Sequence, residues 1–470
     1  MRADTSETTE RQLFLDDLSI EEKPGLTRRW HAATKSPANP ILHPTDREKS
    51  CQVYGTVIHI PERNRYQLWY LARPWPITPE DKGFVIGGRL RPPIATYVCY
   101  AESQDGIHWE RPTLDIVHCS ANPDNNIVDL GRENPEGPGI CYDPHDPDPA
   151  RRYKAFFWEH SVPVEGKTVP PDENPDGMWI AFSLDGLHWT NYAHNPVLAV
   201  GSDTGHELVW DARLRKWVAF GRLGVGQVAR TESADFLHWS PPQAVFAADS
   251  DDGPGSRFYG MGIGLYAGLY IGTAWVWRVE GNGTMDAQLA FSRDGIHWQR
   301  PPKEQREFIP NGPAHSWDAG IIYTACGLVT LEDKVRIYYC GCSGRHPSPH
   351  VTREPEPNYR YSLGVAEVRR DGFASLDAGE TEGHLLTKPF ALPPGKLYLN
   401  ADAQRGQVTV ALCDAAGEPL RGFERSQTIT GDHLKAAVHW NHADLSARRG
   451  KTVRLRIAAK QASLYSFWLE

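Results

Sequence analysis

The sequence predicts an all-β protein, a five-bladed β-propeller followed by a small C-terminal β-sandwich. Three observations carry this. The phrase "SRDGIHW" at residues 292–298 recurs as "SQDGIHW" from Ser103, "SLDGLHW" from Ser183 and "SADFLHW" from Ser233. With 16 Trp, 18 Tyr, 42 Gly and 37 Pro, aromatic strands alternate with turn residues. After about Thr387 the repeats give way to short alternating runs.

Each copy of the phrase closes a paragraph of about four strands. The first paragraph runs from Cys51 to about Cys119: "QVYGTVIHI", a turn at "PERN", "RYQLWYLA", a long loop, "ATYVCYAES", the phrase, then "ERPTLDIV". The second holds "GICYD", "RRYKAFFWEH", "MWIAFS" and "NPVLAV". The third holds "HELVWD", "KWVAFGRL", "GQVARTES" and "PPQAVFA". The fourth holds "FYGMGIGLY", "LYIGTAWVW", "DAQLAFS" and "QREFIP". The fifth keeps the order without the intact phrase: "AGIIYTACGLVTL", "KVRIYYCGC", "YSLGVAEV" and "RRDGFASLDAG". Trp109, Trp189, Trp239 and Trp298 are 80, 50 and 59 residues apart, so the repeat has variable loops. Five four-stranded units predict a five-bladed propeller over 51–386. Residues 1–50 form an extension expected to pack on the propeller or the sandwich. Residues 387–470, with "GKLYLNADA", "GQVTVALCD" and "KTVRLRIAA", form the sandwich.

The phrase itself reads as a turn. Asp-Gly is a strong turn dipeptide, and Asp and Ser hydrogen-bond neighbouring amides. The Trp then opens the outer strand and packs between blades. Four such turns splay around a ring, so their His residues do not make one site.

Composition narrows the function classes. A net charge of −9 without basic blocks speaks against nucleic acid or an anionic membrane as partner. No apolar run approaches the roughly 20 residues of a membrane span, and the N-terminus shows no apolar signal region. The eight cysteines form no metal-like pairs, which suits a reducing, cytoplasmic location. "NPDNNIVDLGREN" lacks the central Gly of a Ca²⁺ loop, and no Walker, dinucleotide or G-x-S-x-G motif is present. Neither a metal nor a cofactor is expected. The partner expected is a carbohydrate; oligomeric state is not legible.

In a propeller the first strand of each blade lines the channel, whose mouth is the natural pocket. Candidates therefore lie on or just before those strands: Asp46 and Glu48, Asp143 and Asp146, Asp203, His206 and Glu207, Arg257 and Tyr259, then Trp317, Asp318, Arg345 and His346. Carboxylates approaching one axis suit glycosidic cleavage, in which one acid protonates the leaving oxygen and another attacks or activates water. Crowding raises the pKa of one of them. Trp and Tyr offer flat faces to a sugar. Each candidate also has a structural reading: Asp143 and Asp146 as turn residues, Asp46 as a loop cap, a channel acid as the partner of Arg345.

The five-part layout, the S-x-D-G-x-H-W turns and the C-terminal sandwich resemble five-bladed propeller glycoside hydrolases of families 32, 43, 62 and 68. "LFLDD", "GLTRR", "YGTV", "LWYLA", "DPARRYK", "SWDAG" and "LYSFWLE" resemble bacterial proteins labelled family-32-like. The resemblance implies three acids on inner strands of the early blades, best matched by Glu48 or Asp46, Asp143 and Glu207. The chain departs from the pattern: it lacks W-M-N-D-P-N, R-D-P and E-C at the expected places.

The expectation is a glycoside hydrolase for a small glycoside or oligosaccharide, furanosides included. Glu207 is the expected acid and Glu48 or Asp143 the base or nucleophile. Asp46, Asp203, His206, Tyr259, Trp317, Asp318, Arg345 and His346 are the expected binders. Two other readings stay open. One is a non-catalytic carbohydrate-binding propeller whose acids pair with Arg. The other is a lyase or transglycosylase on the same scaffold, favoured by Tyr259 and His206 without opposed carboxylates.

Overall fold

The computed structural model describes residues 11–470 except 47, 75–83, 87–88, 92–95, 118–122, 133, 161–175, 348–350, 352–359 and 442. The described residues are almost entirely β, arranged in several sheets. The chain divides into two units. One comprises 33–329 and 336–367; the other comprises 11–32, 330–335 and 368–470, each within the described residues.

In the first unit, antiparallel strands follow one another in sets. The first set is Glu48–Ile60, Arg65–Pro74 and Tyr97–Ser103. The second is Pro135–Tyr142, Tyr153–Glu159, Gly177–Ser183 and Trp189–Asn191. The third is Glu207–Asp211, Lys216–Gly221, Val228–Ser233 and Gln243–Phe246. The fourth is built on Arg257–Tyr266, Leu269–Trp277 and Met285–Ser292, and the fifth on Ile321–Thr324, Lys334–Cys342 and Ser362–Arg369. A single parallel pairing, Met285 with Ile321, joins these last two sets. The first strands neighbour one another in cyclic order: the first set packs on the second, then third, fourth, fifth, and back to the first. The closing step is explicit, because the Cys326 N–H donates to Gly55 O at 2.8 Å.

The four phrases share one geometry. The Ser Oγ donates to Asp Oδ1 at 3.0–3.1 Å. The Asp Oδ1 also accepts two backbone N–H groups, those two and three residues further on, at 2.8–2.9 Å. The His Nδ1 lies 2.7–2.8 Å from Asp Oδ2, on the surface, with the imidazoles 71–88% exposed. These bonds hold the Asp185 carboxyl down at about 2 although partial burial opposes them. Each turn meets the preceding set. Tyr338 Oη donates to Gly106 O at 2.9 Å and Trp69 Nε1 to Gly186 O at 2.8 Å. Trp239 packs on Phe156 at 4.7 Å, and Trp298 on Phe220 at 6.0 Å. The third phrase has Phe236 where the others have Gly. It accepts a positive φ of 69° and buries its ring against Trp217 and Phe182. Burying a ring of that size is worth ~1.5–3 kcal/mol, enough to offset the left-handed backbone.

Three fourth strands differ from the sequence expectation. In the second set the outer strand is Trp189–Asn191, and "NPVLAV" adds only the Met178–Leu198 bridge. In the first set the outer position is taken by 126–128, where Tyr100 N–H donates to Asn126 O and Val128 N–H to Val98 O. "ERPTLDIV" contributes only the Glu102–Glu110 bridge there. Ile127, Val128 and Leu130 are buried, and Asn125 and Asn126 fix the run through their own amides. In the fifth set the outer strand is Thr34–Lys35, paired with Ala366 and Glu367. The expected strand, Ala374–Ala378, belongs to the second unit, where it pairs with Leu26–Trp30 and with Ala462–Leu469. Its Leu376 and Ala378 point into that unit's core, so period-2 burial decides its sheet.

The second unit is a set of long antiparallel strands, Leu397–Cys413, Thr452–Lys460 and Ala462–Leu469, with Ile20–Glu22 and Leu26–Trp30 on its flanks. Alternating Leu, Val and Ile fill its core, with Trp440 edge-on to Phe423 at 5.4 Å.

Candidate functional site

Irregular first strands build the site. In Glu48–Ile60 the register slips between Gln52 and Thr56; in Pro135–Tyr142, between Glu136 and Gly139; in Arg257–Tyr266, between Phe258 and Gly260. A bulge turns a side chain out of the pleat, and bulges cluster next to active sites. Here they release Tyr54, Glu136 and Tyr259. Gly137 makes the second bulge possible. Its φ is +62°, and a Cβ there would stand 2.2 Å from Thr204 O, so the 204–206 segment lies directly against Gly137.

Two carboxylates result. Glu136, mostly buried, lies 3.2 Å from His160 Nε2. Burial lowers the imidazole's pKa, but the Glu136 hydrogen bond and charge, with Glu159 and Asp176, raise it overall. The Asn134 side chain lies beside the same ring nitrogen and Trp158 stacks on the ring at 4.1 Å. Asp203 accepts from Arg222 Nη1 at 2.8 Å with about half its side chain exposed. Burial pushes the Asp203 carboxyl up and the Glu136 charge adds to this, while Arg222 opposes both.

Aromatic rings form the wall beside them. Tyr259 lies under Arg222 at 5.3 Å, against His346 at 4.8 Å and Tyr323 at 5.7 Å. Trp277 meets both Tyr259 and His346. Tyr54 stacks on Trp275 and touches Tyr323, which stacks on Tyr361. Burial and the neighbouring phenols push the Tyr54 hydroxyl well above its ordinary value, so it stays a neutral donor. Tyr259 is likewise raised, first by burial and then by Asp203. Tyr54, Trp275, Tyr323 and Tyr361 are buried and back the wall, while the partly exposed Tyr259, Trp277 and His346 stand beside the two carboxylates, a combination suited to a polyol ring.

The expected residues scatter differently. Tyr259, Asp203 and His346 join this cluster. His206 lies beneath it, 1% exposed, with Nδ1 on Gly137 O and Nε2 on Ser202 Oγ. Glu207 is also sealed at 1% exposure, accepting from Ile263 N–H at 2.9 Å; burial pushes it up to about 8 against its hydrogen bonds. Glu48 is turned toward the second strand, where Tyr70 Oη donates at 2.7 Å and Arg111 Nη2 at 3.0 Å. Asp143 lies at the far end of its strand, accepting from His145 N–H, with Lys154 at 4.0 Å; Asp146 takes the same lysine at 2.6 Å. Asp46 and Arg345 are exposed. Asp318 is buried on Lys35 Nζ at 2.5 Å, with Tyr339 Oη and Ser316 Oγ, and Trp317 stacks on Tyr339.

Reading the sequence missed Glu136, His160, Arg222 and Tyr54. The available signal was "NPEGPGI", a lone Glu between Pro and two Gly at a strand start, which is a bulge pattern. Among the described residues no three His, Cys, Asp or Glu side chains are grouped to hold a metal. No helix there is long and apolar enough to cross a membrane.

No family model matches the chain, so the family-32 resemblance finds no support there, and no curated protein matches it. Solved structures do. A glycosyl hydrolase from Bacteroides ovatus is 13% identical, with a TM-score of 0.46 over 72% of this chain and 94% of its own. An N-acetylgalactosamine deacetylase from F. plautii, in complex with blood group B trisaccharide, is 15% identical, with a TM-score of 0.45 over 74% and 97%. A structure described under the GH130 family of mannoside phosphorylases, containing glycoside hydrolases that target β-1,2 mannosidic linkages in Candida mannan, is 14% identical, with a TM-score of 0.44 over 75% and 95%.

Proposed function

We propose that the first unit is a five-bladed propeller and that the chain is a glycoside hydrolase working at its mouth. Cyclic neighbouring of five first strands supports the architecture. The observation that carries the function is the pair Glu136 and Asp203, on adjoining segments beside a wall of Tyr and Trp. Their surroundings push them toward different jobs. Asp203, raised by burial and by its acidic neighbour, is the proton donor to the leaving oxygen. Glu136, hydrogen-bonded to His160, is the base or nucleophile. Tyr259, Trp277 and His346 bind the sugar, and Arg222 limits the rise of the Asp203 carboxyl. Glu207, Glu48, Asp143 and Asp318 serve the scaffold on this reading. The seven described cysteines are unbridged and six are buried, which suits the cytoplasmic location included in the proposal.

A second reading has an observation in its favour. Glu48–Arg111, Asp318–Lys35 and Asp203–Arg222 are all ion pairs, as in a propeller that binds carbohydrate without cleaving it. A panel of nitrophenyl glycosides separates the two. The hydrolase releases nitrophenol, Glu136→Gln loses ~10²–10⁴ of the rate, and Asp203→Asn loses less, because nitrophenolate departs with little help from an acid. Calorimetric sugar binding with no release by the wild type would establish the binder instead.

A further inference from the structure

We infer that His206 is a positioning residue whose imidazole fixes the spacing between Glu136 and Asp203. The inference rests on reading those two carboxylates as the reacting pair. His206 Nδ1 lies 2.7 Å from Gly137 O, and its backbone N–H donates to the same carbonyl at 3.1 Å. Its Nε2 lies 2.8 Å from Ser202 Oγ. Gly137 directly follows Glu136, and Ser202 directly precedes Asp203. One ring therefore ties together the two segments that carry the acids.

The tautomer follows from the partners. A carbonyl only accepts, so Nδ1 carries the proton; Nε2 then accepts from the Ser202 hydroxyl. Burial pushes the imidazole down to about 4, so this neutral form persists at ordinary pH. The ring has little freedom to turn. Phe156 meets it edge-on at 6.1 Å, and Gly221 passes so close that a Cβ there would sit 2.8 Å from Cδ2. At 1% exposure His206 does not reach the mouth, so it acts through its neighbours.

Spacing matters for this chemistry. Carboxyl groups about 5–5.5 Å apart support a covalent intermediate, whereas about 6.5–9.5 Å leaves room for water. A displacement of about 1 Å can cost ~10²-fold in rate. The bulge after Glu136 contains a glycine with positive φ and does not define a spacing by itself. The imidazole supplies the missing constraint.

Two variants test this in the full chain. Ser202→Ala removes one strut with a minimal change, and His206→Gln keeps an amide that can bond both Gly137 O and Ser202. The measurements are kcat and KM on a cleaved nitrophenyl glycoside, and titration of Asp203 by carboxyl ¹³C resonance without substrate, assigned with Asp203→Asn. Glu136, Arg222 and Tyr259 are the charged and titratable groups facing Asp203. Ser202→Ala is expected to lower kcat by ~10–100-fold with KM changed less than about threefold. It should also move the Asp203 midpoint by at least about half a pH unit, as the charges around it are re-spaced. His206→Gln, which keeps a bond to each segment, should show smaller changes in kcat and in the Asp203 midpoint than Ser202→Ala. A folded Ser202→Ala with wild-type kcat and an unmoved Asp203 titration overturns the inference. A wild type that cleaves no glycoside counts against the hydrolase, while the titration still decides the clamp.

Discussion

Replacing Glu207 by Gln separates a buried structural acid from a catalytic one. Glu207 ordinarily titrates near 4.5, and burial in the folded protein pushes it up to about 8. Between those values the folded protein keeps a proton that the unfolded chain has lost. Stability therefore declines as pH rises through that window, by about 1.4 kcal/mol per pH unit. The contribution is full below about 4.5 and gone above about 8. Gln keeps an acceptor for the Ile263 N–H and has no proton to lose. From pH 5 to pH 7 the wild type should lose about 2.7 kcal/mol relative to Glu207→Gln. Urea unfolding followed by tryptophan fluorescence at pH 5, 6, 7 and 8 measures this. A stability difference that stays constant within about 0.5 kcal/mol across the series refutes the buried-acid reasoning. Activity gives an independent arm, since a sealed Glu207 predicts near wild-type kcat for the variant. A loss of ~10²–10⁴ would restore it as the general acid.

The turn phrase and the ion-paired acids give further tests. Asp294→Ala removes the acceptor that orders the turn and should cost about 1–2 kcal/mol, as loss of a helix cap does. His297→Ala should stay within about 0.5 kcal/mol, because its ring is 85% exposed. Calorimetry reads both, and both variants should keep kcat within about twofold of wild type. Arg111→Leu leaves Glu48 buried without its cation and should cost about 3–5 kcal/mol by urea midpoint, with Glu48→Gln added to the same chain recovering part. Phe220→Ala opens the core shared by the third and fourth sets and should cost about 3–5 kcal/mol in the same assay.

What the sequence made legible was periodic. "SRDGIHW" and its copies marked outer turns, because a turn needs the same Ser, Asp and Gly chemistry wherever it occurs. Strand alternation likewise announced the β sheets of both units. The outer strands of the first and fifth sets differ from the expectation because the segments that pair at those edges are not the ones that directly follow the third strand and its turn. Thr34–Lys35 comes from far away in the chain. The site was least legible for the opposite reason. Glu136 and Tyr54 reach the wall through bulges that break the period. Glu207 and His206 looked like mouth residues because they begin a strand, but that strand begins at the level of Ile263, already below Tyr259. Asp203 lies only a few residues away yet is half exposed.

The proposed division of labour between Asp203 and Glu136 is tested most directly by leaving-group dependence. Asp203→Asn should be compared with wild type on a dinitrophenyl glycoside, whose leaving group departs without a proton, and on the matching methyl glycoside, whose leaving group needs one. The variant should retain most of its rate on the first and lose at least ~10²-fold on the second. An equal loss on both substrates, or none on either, would contradict Asp203 as the acid.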